Sequence, residues 1–234
     1  MGGYTGYIII AVAFSIIGWF VSNRLKSKFR IYSKDQISSG QSGKEIAEQM
    51  LSYYGINDVQ VLPAKGFLSD HYNPANRTVN LSPEVYQGRS VMSAAVAAHE
   101  CGHAVQHATS YNMLKFRSAI VPVVKVASGL QQYLLLFALG GFGMNMNGAG
   151  GTILIITILA FGVTTLFSLV TLPVEFDASR RALVWLDQNN VTAGKEHEKA
   201  RDALKWAAMT YVAAALSSLV MLLYLVMQLM GSRD

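Results

Sequence analysis

The chain contains four apolar segments that are each long enough to cross a membrane as a helix. Of its 234 residues, 52% are hydrophobic and only 14% are charged, whereas about 25% of the residues of an average soluble domain are charged. The segments are residues 4–22, 118–142, 152–173 and 207–230. Because about 30 Å of hydrocarbon requires some 20 helical residues, the sequence predicts a mainly α membrane protein with four transmembrane helices.

The first segment is interpreted as a retained helix, because no basic residue precedes it and no small-residue cleavage site follows it. The second and third segments lie in a long stretch, residues 126–174, that has no charge. The Gly- and Asn-rich break "GGFGMNMNGAGG" divides them, which predicts a helical hairpin with a turn outside the membrane. In the second segment, we expect Lys125 to reach the interface and Gln131 and Gln132 to bond to neighbouring helices.

The basic residues lie on one side of these segments. They are Arg24, Lys26, Lys28, Arg30 and Lys34 after the first, Lys115 and Arg117 before the second, and Arg180 and Arg181 after the third. The positive-inside rule therefore predicts a multi-pass protein of the cell membrane, with residues 23–117 and 174–206 in the cytoplasm and both termini outside.

The formal net charge of +5 does not indicate nucleic-acid binding, because the basic residues are concentrated beside the apolar segments. Anionic lipid headgroups and membrane topology explain that placement better, so the lipid bilayer is the expected partner and nucleic acid is not. Cys101 is the single cysteine, which excludes an intramolecular disulfide and suits a reducing cytoplasm.

The segment of residues 35–117 has the pattern of a small α+β domain. Ser42 and Glu45 match a capping box that begins a helix, and Gly55 suits its end. Residues 58–82 predict a strand followed by a hairpin that turns near residues 73–76. Pro83 suits the first position of a short helix, and the alanine-rich stretch Val91–Ala108 predicts one continuous helix.

The sequence "AAHECGHAVQH" contains the pattern H-E-x-x-H at His99, Glu100 and His103. On a helix, two histidines four residues apart lie on one face, where both can bind one zinc ion. Glu100 then lies beside them, close enough to act as a general base on a water. The alternative is a pair of core histidines bonded to backbone carbonyls; the pattern favours the metal site.

A catalytic zinc site usually has a third protein ligand. His107 is an unsuitable candidate, because a straight helix separates it from His99 by about 12 Å. The predicted hairpin returns the chain to the cytoplasmic side at Glu175, which follows Pro173, where we expect the third membrane helix to end and a new helix to begin. Glu175 is therefore the predicted third ligand, with an interfacial ion pair to Arg180 or Arg181 as the alternative. Cys101 points to the opposite helix face and is interpreted as packing.

The motif "HECGH", the apolar hairpin, "LPVEFDASRRAL" and the earlier "SDHYNPANRTVNLS" together resemble the YugP-type neutral zinc metallopeptidases of bacterial membranes. The resemblance covers nearly the whole chain. It implies a zincin-like cytoplasmic metalloprotease domain with one catalytic Zn²⁺ held by His99, His103 and Glu175.

More remotely, the chain is similar to the HtpX-type gluzincin membrane proteases, in which the glutamate of a later helix completes the zinc site. Those proteases commonly have an aspartate four residues after that glutamate, where this chain has Ser179; Asp177 lies two residues earlier. Ser179 and Asp177 are accordingly the candidates for holding the ligand histidines in place.

These residues suit zinc-dependent hydrolysis of peptide bonds, with Glu100 as the catalytic base. For stabilising the oxyanion, or contacting substrate, the first candidate is His71, followed by Tyr111, His197 and Arg180. The expected substrates are membrane proteins or segments emerging from the membrane, in quality control or in the processing of a precursor. The hairpin edge is a candidate to bind substrate as an added strand.

Two other function classes stay open at this point. In a membrane scaffold or sensor, zinc would be structural and Glu100 would perform no chemistry. A transporter is less favoured, because Lys125 is almost the only ionisable residue in the four segments and transport paths usually need several. Self-association, or a membrane partner that opens the site, is compatible with either protease or scaffold.

Overall fold

A computed structural model describes residues 2–139 and 149–231. The chain is mainly helical with one small sheet. In chain order, the elements are α1 (Gly2–Tyr32), α2 (Gly43–Tyr53), β1 (Gln60–Pro63), β2 (His71–Asn73), β3 (Thr78–Leu81), α3 (Pro83–Tyr86), α4 (Val91–Ala108), α5 (Asn112–Leu139), α6 (Ala149–Gln188) and α7 (Lys195–Gly231).

The chain divides into two compact units, and α1, α5, α6 and α7 each contribute to both. The first, called here the apolar unit, comprises Met1–Phe20, Phe116–Leu172 and Thr210–Asp234. The second, the mixed unit, comprises Val21–Lys115 and Pro173–Met209. All residues of the predicted metal site belong to the mixed unit.

The apolar unit has a surface suited to lipid. A small core forms where Leu154 and Phe161 of α6 pack with Met221 and Leu225 of α7. Many large apolar side chains point outward instead, and examples that are at least three-fifths exposed are Ile9, Trp19, Leu159 and Met227. Water would oppose the exposure of so many large apolar side chains, whereas a bilayer would not.

Three helices among the described residues are long and apolar enough to cross a membrane: Thr5–Tyr32, Gly151–Gln188 and Lys195–Gly231. They contain the first, third and fourth predicted segments. The second predicted segment lies in α5, which is not among the three, and its last residues fall in the stretch 140–148, outside the described residues. Most of the predicted turn falls there too. A fourth span thus stays a prediction.

The prediction that Pro173 ends one helix and begins another is wrong. Helix α6 runs without interruption from Ala149 to Gln188, with Pro173 inside it. A proline removes a single N–H from the helical ladder, and that of Pro173 would have bonded to the carbonyl of Leu169. A helix of this length retains its other hydrogen bonds, so the loss does not end it.

The mixed unit contains the predicted strand and hairpin. Strands β2 and β3 pair antiparallel, and the side chain of Asn73 accepts the backbone N–H of Ala75 in the turn between them. The sequence did not predict that β1 would pair in parallel with β3, which gives the strand order β1-β3-β2. Strand β2 therefore lies at one edge of the sheet.

The predictions for α2 and α4 are confirmed in detail. Ser42 and Glu45 form the reciprocal capping box at the start of α2, and Gly55 follows that helix with a φ of 68°. Helix α4 covers Val91–Ala108, as predicted. Its alanines at positions 94, 95, 97, 98 and 104 are almost fully buried, so α4 runs through the core rather than over it.

Gly102 sets the distance between α4 and α6. A Cβ atom at Gly102 would lie only 2.6 Å from the backbone carbonyl oxygen of Ala178. No side chain fits into that space, because a real Cβ atom keeps more than 3 Å from a backbone atom that cannot move aside. The two helices thus approach each other at the point where α4 carries the H-E-x-x-H motif.

We expect Gly102→Ala to lower the free energy of unfolding of the chain by roughly 1–3 kcal/mol, because the added methyl pushes α4 and α6 apart. Thermal unfolding in detergent would measure the loss. Gly129→Ala is the matched control, since a Cβ there meets nothing within 4 Å and alanine is the better helix former. Equal thermal stability of Gly102→Ala and the wild type would contradict the close approach.

Candidate metal centre

Three side chains that can bind a metal meet between α4 and α6. The Nε2 atom of His99 lies 3.4 Å from Oε2 of Glu175, and Nε2 of His103 lies 3.5 Å from the same oxygen. All three donor atoms lie within 4.8 Å of one another. His103 and Glu175 are buried and His99 is half-buried, so the group is screened from bulk water.

These distances fit a tetrahedral zinc ion. Two ligand atoms that are each about 2.0–2.1 Å from a zinc ion lie roughly 3.3–3.4 Å apart in tetrahedral geometry. The Nε2 to Oε2 distances of 3.4 and 3.5 Å are close to that value. Two imidazoles and one carboxylate are also a common ligand set of catalytic zinc, in which the fourth position takes water or substrate.

The His99 ring is held by Ser179 of α6. The Oγ atom of Ser179 lies 3.2 Å from Nδ1 of His99, on the side of the ring away from Glu175. A hydrogen bond from Nδ1–H to this oxygen keeps the proton on Nδ1 and leaves the lone pair of Nε2 facing the Glu175 carboxylate. The structure thus contains the contact to a ligand histidine that the sequence suggested for Ser179.

The His103 ring is held by Gln106, one helical turn further along α4. Oε1 of Gln106 lies 3.0 Å from Nδ1 of His103, and Nε2 of Gln106 donates to the carbonyl of Val174 and to the carboxylate of Asp177. Since the amide nitrogen has acceptors on both sides, the amide oxygen must accept from His103. His103 therefore carries its proton on Nδ1, and its Nε2 is available as a ligand.

Asp177 contacts the histidines only indirectly. Its carboxylate is buried and accepts hydrogen bonds from Gln106 at 2.9 Å, from Nε of Arg181 at 2.6 Å, and from Arg180. Gln106 is fully buried between Asp177 and His103. The sequence reasoning proposed Asp177 but missed Gln106, although a polar residue three positions after His103 lies on the same helix face.

The surroundings of His103 favour positive charge. Burial alone lowers the pKa of His103, but the close contact with the Glu175 carboxylate and the negative charge of Glu100 outweigh it. The net effect raises the pKa of His103 above its ordinary value. A pocket that favours a proton on a buried imidazole is electrostatically suited to a cation.

Glu100 is buried beside the three donors and is fixed by the sheet. Its Oε2 atom accepts the backbone N–H of Tyr72 on β2 at 2.9 Å. The hydroxyl of the same Tyr72 lies 2.7 Å from Nδ1 of His107. Tyr72 thus joins the edge strand to α4 at two points. His107 contacts this tyrosine and is not one of the three donors, as its distance along α4 from His99 predicted.

The four oxyanion candidates do not meet at the donors. His71 is exposed, and its Nδ1 lies 2.8 Å from the carbonyl oxygen of Ser69. Arg180 binds Asp177, and Tyr111 stacks with Arg181. Nδ1 of His197 lies 3.3 Å from the hydroxyl oxygen of Thr192. In the described part of the chain, none has a hydrogen bond or ion pair to the donor side chains. His71 lies on β2, one residue before Tyr72, whose backbone N–H binds Glu100. An oxyanion role for any of them stays a prediction.

Cys101 occupies the opposite face of α4, as its spacing predicted. It is fully buried, and its Sγ atom lies 3.5 Å from the carbonyl oxygen of Ala47 in α2. Burial raises the pKa of the Cys101 thiol far above its ordinary value, which suppresses the reactive thiolate. Cys101 is a packing residue of the core.

Comparison with known proteins agrees with this geometry. The family model described as "Putative neutral zinc metallopeptidase" matches residues 7–230. The chain is 41% identical over 228 residues to a protein of Bacillus subtilis (strain 168) named "Putative membrane protease YugP", which covers 97% of this chain and 98% of that protein. No solved structure matches the chain significantly.

We expect Gln106→Ala to weaken zinc binding by roughly 10- to 100-fold, because His103 loses the group that orients it. Competition with a chromophoric chelator would measure the affinity of the purified chain. Gln49→Ala is the control, since Gln49 is an exposed glutamine whose side chain, within the described residues, bonds to Gln41 and to no residue of the donor group. Unchanged zinc affinity in a folded Gln106→Ala chain would show that Gln106 does not orient the ligand.

Proposed function

Because this chain belongs to the family of neutral zinc metallopeptidases, we propose that it is a membrane-embedded, zinc-dependent endopeptidase that uses Glu100 as its catalytic base. His99, His103 and Glu175 would hold a single zinc ion. The observation that carries the proposal is the meeting of these three donors next to Glu100, a buried glutamate of α4. We assign Ser179 and Gln106 the task of keeping both imidazoles in the ligand tautomer.

When bound, zinc supplies a Lewis acid that polarises the scissile carbonyl and lowers the pKa of a water towards 7. Glu100 would take the proton from the attacking water and return it to the leaving amine nitrogen. One carboxylate oxygen of Glu100 is occupied by the N–H of Tyr72. The other, Oε1, has no hydrogen bond within the described residues, so it is available to accept that proton.

The edge strand β2 supports an extended peptide as substrate. Among the described strands it pairs with β3 alone, and the N–H of Tyr72 on its other side points to Glu100 on α4. A peptide strand added to that edge would run past the base and the three donors. This arrangement favours internal cleavage of a chain over removal of single terminal residues.

The substrates we propose are membrane proteins, or segments emerging from the membrane, at the cytoplasmic surface of the bilayer. Glu175 follows Pro173, the last residue of the third predicted span, by two positions, which is about 3 Å of helical rise. The basic residues that flank the apolar segments favour the cytoplasmic side. Removal of damaged membrane proteins is one process that fits this location.

We expect Glu100→Gln to lower the rate of proteolysis by roughly 10²- to 10⁴-fold while zinc content stays unchanged, because the amide cannot take a proton. The measurement is cleavage of an unfolded membrane protein by the detergent-purified, zinc-loaded chain, with Glu48→Gln on α2 as the control for loss of an acid. If the wild type holds zinc and cleaves nothing, the structural-zinc scaffold becomes the better function. If the wild type and Glu100→Gln cleave the substrate at equal rates, a contaminating protease is responsible.

The proposed orientation predicts the labelling of single cysteines introduced in a Cys101→Ala background. Asn145→Cys, in the loop expected outside, should react with a membrane-impermeant maleimide in intact cells, because that reagent reaches only the outer face. Lys65→Cys should react only after lysis. Labelling of Lys65→Cys in intact cells would reverse the orientation and move the proposed site to the outer surface.

A further inference from the structure

A groove of about 500 Å³ lies between α6 and α7 of the mixed unit. Its walls include the apolar side chains of Phe176, Leu183, Val184 and Leu204. Phe176 and Val184 are each 46% exposed, although large apolar side chains of this unit are mostly buried. The groove therefore presents apolar surface that another molecule can cover.

Two cations of α7 line the same groove. Arg201 and Lys205 are four residues apart, so they lie on one face of the helix, and both are exposed. Within the described residues neither forms an ion pair closer than 4 Å, although Lys205 also interacts electrostatically with Asp202, whose carboxylate binds Lys28. Arg180 adds a third cation that already binds Asp177, and Asp187 is the acid of the groove. The lining thus has an excess of positive charge.

We propose that this groove is a binding site for an anionic phospholipid. Its phosphate would bind Arg201 and Lys205, and an acyl chain would cover Phe176, Leu183 and Val184. An apolar wall with two exposed cations is complementary to a molecule that joins a negative headgroup to a hydrocarbon chain. A purely polar anion would leave the apolar wall uncovered, and a neutral lipid would bring no net negative charge to the cations.

The position of the groove in the chain favours a lipid over a peptide. Phe176 lines the groove and comes four residues after Leu172, where one segment of the apolar unit ends. Ala208 also lines it and comes two residues before Thr210, where the next segment of that unit begins. Anionic lipid headgroups lie next to such segments, and juxtamembrane cations attract them. The proposal rests on the membrane location proposed above and is independent of the peptidase chemistry.

The groove is separate from the reacting side of the metal centre. Ser179 lines it, and Oγ of Ser179 contacts Nδ1 of His99, whereas Nε2 of His99 faces Glu175. A ligand in the groove would therefore lie beyond the imidazole, on the side away from the donor atoms. It would touch a residue that orients His99 without reaching the scissile bond.

The experiment is native mass spectrometry of the full chain in detergent, titrated with dioleoyl phosphatidylglycerol or with dioleoyl phosphatidylcholine. We expect the wild type to retain one molecule of phosphatidylglycerol at least tenfold more tightly than phosphatidylcholine. The double variant Arg201→Gln, Lys205→Gln should lose that preference. The matched control, Lys65→Gln with Lys195→Gln, removes two exposed cations outside the groove and should keep it.

Each other outcome overturns the lipid site. Equal binding of the two lipids, or an equal loss in the control variant, would mean that the groove does not select a lipid headgroup. Displacement of the lipid by millimolar inorganic phosphate would indicate a simple anion site, and displacement by an acidic peptide would indicate a peptide groove. Repeating the titration with Glu100→Gln separates the two proposals, because lipid retention there does not depend on proteolysis.

Discussion

The backbone contact between α4 and α6 at Gly102 and Ala178 is the constraint on which the metal centre depends. His99 and His103 flank Gly102 on α4, while Glu175 and Ser179 flank Ala178 on α6. Helices in contact usually keep their axes 8–10 Å apart, at a distance set by the side chains between them. Removing the side chain at Gly102 lets the short donors reach a common point. Glycine costs the helix roughly 1 kcal/mol in propensity, and the packing with α6 offsets this cost.

The same contact explains how the imidazoles are oriented. Each Nδ1 atom has a polar partner, which is Ser179 for His99 and Gln106 for His103. Ser179 belongs to α6, and Gln106 of α4 donates a hydrogen bond to the carbonyl of Val174 in α6. Ser179 contacts His99 directly, whereas Asp177 acts on His103 through the Gln106 amide. Both side chains that contact the imidazole Nδ1 atoms are therefore neutral.

Local patterns predicted local structure well, and long-range pairing poorly. The capping box at Ser42 and the bounds of α4 follow from short-range rules, and both are confirmed. The meeting of Glu175 with the histidines was predicted from charge placement along the chain, which is a global pattern. The parallel pairing of β1 with β3 has no local signal, because partner choice depends on the whole core. Gln106 was missed for the same reason: a buried glutamine is recognised only when its partners are known.

The three donors are far apart in sequence, and this has a consequence for biosynthesis. Chains are made at about 5–20 residues per second, so Glu175 is added roughly 4–15 seconds after His99. During that interval the growing chain has His99, Glu100 and His103 but not Glu175, so it has two of the three candidate donors, whereas catalytic zinc sites use three protein ligands. Capture of the zinc ion proposed above would therefore wait until the segment up to Glu175 has been synthesised. A chain interrupted between these points would have the motif without the completed centre.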